Sequence, residues 1–466
     1  MKILLVIDQF DDANNGTTIS ARRFAQELLS RGNEVRVLAS GAAAPGKYAL
    51  PRVVFLPVAQ WIIRSQGMQF AWPVENTIRQ ALAWCDVAHF MMPFAMECRA
   101  LTLAEEMDVP RTAAFHVQPE NITSTLGLGR KKKVNDTFYD VMRDRFYNRF
   151  SHIHCPSAFI AGELRAHGYT AQLHVISNGV SDLFCYEKRE KPAALRDRKL
   201  VLMIGRLSRE KRQDVLLEAV RRSVFAQDIQ VVLAGRGPCY RALRRQGSTL
   251  PNPPIFCFLE PQKLHELIAM CDLYVHTADA EIEAISCIEA FASGLVPVIA
   301  NSDKSATPQF ALDERSLFIA GDSTDLAAKM DYWLGRPAER AEMERRYAAH
   351  GRQYALSTCV ARAEEMFAAA IREQRAAAAA GKLHAAEAPA PGRENAAASE
   401  NAAVGENAAA CENAAACENA AVGENAAAGK NAAVGKNAPA CENAPARENV
   451  PAETAPPAQS GGEPNG

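Results

Sequence analysis

Short, continuous apolar runs alternate along most of the chain with longer segments whose apolar residues recur at helical spacing. KILLVID (2–8) is a run of the kind buried on both faces of a parallel sheet. Polar residues and a glycine follow in DDANNG, and TTISARRFAQELLSRG then has helical periodicity, with Gly32 as its C-cap. The spacing predicts further strands in EVRVLAS (34–40), DVAHFMMP (86–93), PRTAAFHV (110–117), IHCPS and HVISNGV (174–180), with helices through 96–107 and 135–150. A charged stretch, YEKREKPAALRDRKL (186–200), reads as a linker, after which the alternation restarts. LVLMIGR (200–206), IQVVLAG (229–235), IFCFLE (255–260), LYVHT (273–277) and VPVIA (296–300) are predicted strands, each followed by a helical pattern. Two such runs predict an α/β protein with two doubly wound parallel-sheet domains, 1–185 and 186–355. A helix over 356–375 is expected to return towards the first domain. Sheets of this type bind ligands beyond the carboxyl ends of their strands, which places a site in the cleft between the domains.

The last part of the 466-residue chain breaks this pattern. No aromatic residue follows Phe367, and from 376 the chain is mostly Ala, Glu, Asn, Gly and Pro. A Glu-Asn or Lys-Asn pair recurs every six residues from 394 to 448, a period that builds no apolar stripe on a helix. The segment 376–466 is expected to be a disordered hexad-repeat tail without a part in chemistry. It carries 11 acidic and 5 basic side chains, which leaves 1–375 with 47 basic and 43 acidic, too mild a balance for a nucleic-acid partner. The 12 cysteines include no CxxC pair or zinc-spaced group, as expected in a reducing compartment. MKILLVIDQFDD lacks the apolar length of a signal peptide, and no apolar stretch reaches 18 residues. These features predict a cytoplasmic protein, peripheral at most to the inner face of the cell membrane.

There is no G-x-G-x-x-G after the first strand, no Walker A loop and no G-x-S-x-G elbow, so dehydrogenase, P-loop and α/β-hydrolase signatures are all missing. The strongest local feature is AEIEAISCIEAFASGLVPVIA (280–300). Glu281 and Glu289 are eight apart, roughly 12 Å of rise in a continuous helix at about 1.5 Å per residue, too far for a glycosidase carboxylate pair. If a loop carries Glu281 and a helix starts near Ser286, amides at that helix start, including Ile285, can bind phosphate while the carboxylates take sugar hydroxyls. A surface helix with solvated glutamates fits the same residues. In IGRLSREKRQD (204–214), Arg206 and Lys211 occupy a strand-end loop and suit a diphosphate, or are solvated charge in a polar turn. His116 at a strand end is either a structural histidine or a cleft residue.

GRLSREK, followed some seventy residues later by Glu-x7-Glu, resembles the retaining glycosyltransferases of family 4, as do Asn15–Gly16, Ala114–His116, SNGV at 177–180 and AGRGP at 234–238. The resemblance covers roughly 1–372 and implies the GT-B fold, two Rossmann-like domains facing a cleft. It implies transfer of a hexose, glucose for preference, from a nucleotide diphosphate sugar, UDP for preference, with retained configuration. By the same resemblance Arg206, Lys211, Gly16 and Ile285 hold the diphosphate, Glu289 the ribose, and Glu281 and Glu283 the donor sugar, with His116 and Glu281 at the reacting centre. One departure stands out. The family's Glu-Gly-Phe-Gly-Leu is here Glu281-Ile282-Glu283-Ala284-Ile285, a less permissive backbone. With cationic side chains on the leaving diphosphate, neither metal nor cofactor is expected.

The acceptor is expected on the first domain. Trp61, Ile62 and Arg64 in PVAQWIIRSQGMQFAWP (57–73), together with Arg130, Lys131, Lys132 and Lys133, combine apolar and basic residues as a surface resting on anionic lipid does. They suit equally a packed core and a solvated loop. A membrane lipid such as diacylglycerol is the favoured acceptor. A polysaccharide or soluble acceptor, a catalytically dead nucleotide-sugar-binding scaffold and an epimerase are the alternatives.

Overall fold

The protein is described from a computed structural model at residues 1–11, 16–56, 68–120, 123 and 131–387, with side chains to 380. The first sheet contains β1 (Lys2–Val6), β2 (Glu34–Ser40), β3 (Lys47–Leu50), β4 (Val87–Phe90), β5 (Arg111–Ala114), β6 (His152–Cys155) and β7 (Gln172–Val175), in the order β3-β2-β1-β4-β5-β6-β7. Every pairing is parallel, with Leu5 of β1 beside Val37 on one side and His89 on the other. The second sheet runs β10-β9-β8-β11-β13-β15, from β8 (Lys199–Ile204), β9 (Ile229–Ala234), β10 (Ile255–Cys257), β11 (Leu273–His276), β13 (Pro297–Asn301) and β15 (Leu317–Ile319). A short side ribbon pairs β12 (Ala280–Glu281) with β14 (Lys304–Ser305).

Both sheets start at a central strand, build outwards one way and then return to build the other way. The order therefore reverses between β1 and β4 in the first domain and between β8 and β11 in the second, and ligand crevices open at such reversals. The continuous apolar runs follow from burial on both faces. In the first sheet, Leu4, Val6 and Phe90 pack on the layer with Phe115, Phe146 and Tyr147, while Ile3, Leu5 and Ile7 pack on the opposite layer. That second layer is closed by α1 (Gly16–Ser30) through Phe24 and Leu28, and by the final helix, α12 (Leu356–Glu387), through Val360, Ala363, Met366 and Phe367.

The final helix thus leaves the second domain and seals the first. It continues twelve residues past the sequence-based boundary at 375, because Arg375–Ala380 has high helix propensity although it buries little. The hexad repeats at 394–448 lie outside the described residues. Ending the chain after Arg375 keeps Phe367, Ile371 and the Glu373–His152 hydrogen bond (3.0 Å). We expect that shortened protein to melt within about 2 °C of the full chain and to turn over normally, since surface segments away from packing change stability by about 0.5 kcal/mol or less. A thermal melt and a transfer assay check this; loss of either would show that later residues pack on the body.

The two domains are tied by polar contacts. Ser157 Oγ donates to the carbonyl of Ile282 (2.7 Å), Gln118 Nε2 to that of Lys304 (3.0 Å), and the amide of Val180 to that of Tyr354 (2.8 Å).

Candidate active site

At the second domain's reversal, the loop leaving β8 faces the loop leaving β11. The first bears Arg206, which is half-buried, and Lys211; the second leads through β12 to Glu281 and then to α9 (Ile285–Ala292). Lys211 Nζ donates to Glu281 Oε1, and His276 Nε2, at the end of β11, lies 3.1 Å from the same oxygen. His276 is oriented in turn by the hydroxyl of Tyr274, 3.0 Å from its Nδ1. Burial alone would raise the Glu281 carboxyl, but the Lys211 charge and the His276 hydrogen bond outweigh it and hold it at about 2. An ionised, two-fold anchored carboxylate thus stands against the Lys211 ammonium.

The helix behind it begins as the phosphate reading requires, one residue earlier than Ser286. Ala284 precedes α9 with φ 66° and ψ 69°, the left-handed conformation that a glycine would take without penalty. Holding an alanine in that conformation costs about 1 kcal/mol relative to glycine.

Glu289, inside α9, is buried and receives both Nη1 (3.1 Å) and Nη2 (3.0 Å) of Arg23 from α1 of the first domain. Burial raises its pKa, and Arg23 offsets part of that rise. Glu283 points away from this centre. Its carboxylate accepts from the amide of Asn178 (3.2 and 3.1 Å) and from Asn178 Nδ2 (2.7 Å), which makes it a tie to the SNGV turn rather than a sugar contact. Gly16 opens α1, and an added Cβ there would meet nothing within 4 Å, so neither crowding nor φ accounts for the glycine. His116 follows β5, 7% exposed, and its Nε2 has no partner among the described residues; burial, then the neighbouring His154, lower it to about 3, so it is neutral.

Two family models match the chain, "Glycosyltransferase Family 4" over residues 14–182 and "Glycosyl transferases group 1" over 186–353. The chain belongs to the family 4 glycosyltransferases. It is a hexosyltransferase of GT-B fold. It is 22% identical over 324 residues to alpha-monoglucosyldiacylglycerol synthase of Streptococcus pneumoniae, covering 65% of this chain and 71% of that one. It is 25% identical over 337 residues to sulfoquinovosyl transferase SQD2 of Arabidopsis thaliana, covering 66% of this chain and 62% of that one. The structure of HepE from Anabaena in complex with UDP aligns over 79% of this chain and all of its own, with TM-score 0.62 and 16% identity.

In this transferase Arg23 and His276 are the site residues that sequence reasoning missed. Arg23 is seven residues after Gly16, about two helical turns, so both share the face of α1 turned to the cleft; that spacing was the available signal. His276 ends a strand one loop before Glu281, which places it at the same carboxyl edge. Among the proposed membrane residues, Lys131, Lys132 and Lys133 are exposed, with Lys132 paired to Asp136 at 3.0 Å. Trp61, Ile62, Arg64 and Arg130 lie outside the described residues. Around them, Val54, Leu56 and Trp72 are exposed, whereas Phe70 stacks edge-on against Phe55 and Phe94.

Glu283 gives the transferase a testable pH dependence. Burial, against the hydrogen bonds of Ser177 and Asn178, raises it to about 7. The folded state then holds a proton that the unfolded chain releases near 4.5, so its stabilisation is complete below pH 4.5 and is lost as pH rises to 7. Buried His116 and His154, lowered to about 3 and about 4 chiefly by burial, act oppositely and flatten the wild-type profile. In Glu283→Gln this contribution is absent, while those of the other buried groups, the histidines and Asp8 among them, are unchanged. Relative to wild type, the variant is expected to gain about 1.4 kcal/mol of stability per pH unit from pH 5 to 7 in denaturant titrations. A pH-independent difference would refute the buried, protonated state.

Proposed function

We propose that the enzyme transfers glucose from UDP-glucose to the hydroxyl of a membrane lipid, diacylglycerol or one like it, with retention, at the cytoplasmic face of a membrane. What chiefly supports this reading is the contact of Lys211 with the Glu281 carboxylate, at the strand ends where the Arg206 loop and the start of α9 also lie. The C1–O bond to the β-phosphate breaks, C1 gains positive character, and the diphosphate gains negative charge. Arg206, Lys211 and the amide of Ile285 stabilise that charge most strongly at the transition state, where stabilisation accelerates the step. The acceptor oxygen bonds to C1 on the same face, and its proton passes to the departing phosphate oxygen. Glu281 orients the donor sugar, Glu289 exchanges Arg23 for the ribose hydroxyls, and neutral His116 meets the sugar from the first domain.

The lipid acceptor is supported by the name of the pneumococcal relative and by the exposed Val54, Leu56 and Trp72 on the same domain as Lys131–Lys133. UDP is supported by the Anabaena neighbour. No helix among the described residues is long and apolar enough to cross a membrane. Incubating UDP-, GDP- and ADP-glucose with diacylglycerol vesicles and with soluble sugars, and reading the product's anomeric configuration by NMR, tests this. We expect an α-glucoside of the lipid, from UDP-glucose.

Vesicle co-sedimentation provides the companion measurement. Three lysines near anionic lipid contribute about 1 kcal/mol each at low salt, so replacing Lys131, Lys132 and Lys133 by Ala should weaken binding by one to two orders of magnitude, with the difference shrinking as salt rises. Wild-type protein that ignores anionic vesicles and glucosylates only soluble sugars would defeat the lipid reading.

A further inference from the structure

Only Ile282, Glu283 and Ala284 separate Glu281, on Lys211, from Ile285, the first residue of α9. Two of the three reach into the first domain. The Ile282 side chain packs against the core layer of Phe115, Phe146 and Tyr147. Its carbonyl accepts the Ser157 hydroxyl, whose oxygen also accepts the Ile160 amide at 3.2 Å and so caps α5 (Ala158–Ala166). Glu283, 3% exposed, is held by the amide and the side chain of Asn178. Asn178 belongs to the SNGV turn, where the chain crosses between the domains. Val180 pairs there with the returning chain: its amide donates to Tyr354, and its carbonyl accepts the Leu356 amide at 3.0 Å. The turn is itself fixed, since a Cβ on Gly179, φ 75°, would stand 2.8 Å from Leu356 Cα.

A Gly-Phe-Gly segment could not make these contacts. Glycine at 282 has no side chain to enter that core, and phenylalanine at 283 accepts no hydrogen bond from Asn178. The left-handed alanine fits the same account. Such a conformation persists only where its surroundings over-determine it, and Glu283 on one side and α9 on the other do so. The consequence is mechanical. Consecutive Cα atoms are about 3.8 Å apart, so withdrawing Ile282 and Glu283 displaces Glu281 on one side and the first amide of α9 on the other. The Glu281 carbonyl in turn accepts the Ala306 amide at 2.9 Å, next to the ribbon strand that Gln118 of the first domain grips at Lys304.

Resting on the reading of this crevice as the donor site, we propose that Ile282 and Glu283 are positioning residues for transfer. They form a bolt from the second domain that fixes the Glu281 carboxylate and the start of α9 against the first. The bolt matters most once the donor is bound. Ribose hydroxyls then take the place of Arg23 on Glu289, which removes a tie between the domains. The ties at 282 and 283 keep the register in which the reacting sugar meets the first domain.

Glu283→Ala, Glu283→Gln and Ile282→Ala, in the full chain, test this. Gln keeps an acceptor oxygen for Asn178 on a side chain of the same length, and Ala removes it. Calorimetry gives the UDP dissociation constant; rates with UDP-glucose and a short-chain diacylglycerol in mixed micelles give kcat and KM. In Glu283→Ala and Ile282→Ala, kcat is expected to fall at least tenfold, because a misplacement of about 1 Å can cost a hundredfold. UDP affinity should stay within threefold of wild type, and Glu283→Gln within threefold in both measurements. A kcat within threefold of wild type in Glu283→Ala would overturn the proposal. So would an equal fall in Glu283→Gln, or UDP affinity lost in step with kcat, the mark of a merely damaged fold. Hydrogen exchange on the ligand-free proteins needs no substrate. The Ala306 amide should exchange at least tenfold faster in Glu283→Ala and as in wild type in Glu283→Gln. Unchanged exchange in Glu283→Ala overturns the bolt whatever the substrates prove to be. Exchange as expected, with a wild type inactive on UDP-glucose and diacylglycerol, defeats the substrate reading alone. If Glu283→Ala does not fold, Ile282→Ala decides by the same criteria.

Discussion

Arg206→Ala should slow transfer about a hundredfold or more; Lys211→Ala should lose as much activity and be destabilised through its partner Glu281. The common part is the loss of one charge-assisted contact at a developing anion, on the order of 3 kcal/mol. The difference comes from Glu281. Lys211 is the main charge holding that buried carboxylate ionised, with His276 second. Removing one partner of a buried ion pair costs about 3–5 kcal/mol, whereas removing both charges is often nearly neutral. The double variant Lys211→Ala/Glu281→Gln should therefore recover most of the melting temperature lost by Lys211→Ala and none of the activity. Thermal melts and single-turnover rates on the three proteins check this. If Lys211→Ala melted like wild type, the Lys211–Glu281 pair would not hold the buried site. If both single variants kept near-normal rates, the diphosphate assignment would fall.

The sequence made the sheets easy to read, because burial on both faces turns each parallel strand into an unbroken apolar run. KILLV and LVLMI have no other good use in a water-soluble body. Motif spacing located Arg206, Lys211 and Glu281 at strand ends and Glu289 on the helix that follows, and the structure brings Lys211 and Glu281 into direct contact. It could not show that Glu283 turns to Asn178. That choice depends on the left-handed turn at Ala284, which composition gives no reason to expect of an alanine. Nor could it show Arg23 on Glu289, since the pair is 266 residues apart and exists only once the domains close. The end of α12 was missed differently: the boundary was drawn where the composition changes at 376, yet local alanine content extends the helix beyond its last packed residue.

Gly235→Ala and Gly237→Ala should each lower the melting temperature by about 5–10 °C and reduce transfer by more than that instability explains. The AGRGP turn after β9 lies backbone to backbone on the loop that carries Arg206. Leu207 N donates to the carbonyl of Arg236 at 2.9 Å, and Cys239 N to that of Leu207 at 2.9 Å. A Cβ on Gly235 would stand 1.9 Å from the carbonyl oxygen of Gly205, and one on Gly237 would stand 2.3 Å from that of Leu207. Neither neighbour is a flexible side chain, so the two loops must separate, and Arg206, lying between Gly205 and Leu207, moves with its loop. Overpacking of this kind costs about 1–3 kcal/mol, which in a domain of this size is several degrees. A displacement of about 1 Å at a catalytic group can itself cost a hundredfold in rate. Gly162→Ala serves as the control. It lies within α5 (Ala158–Ala166), with nothing within 4 Å of the added carbon and no positive φ. There the substitution should stabilise by about 0.5–1 kcal/mol and leave transfer unchanged. Melting temperature and kcat/KM for the donor, measured on all three variants, separate a displaced Arg206 loop from a general sensitivity to added bulk. If Gly235→Ala behaved like Gly162→Ala, the two loops would not be in contact.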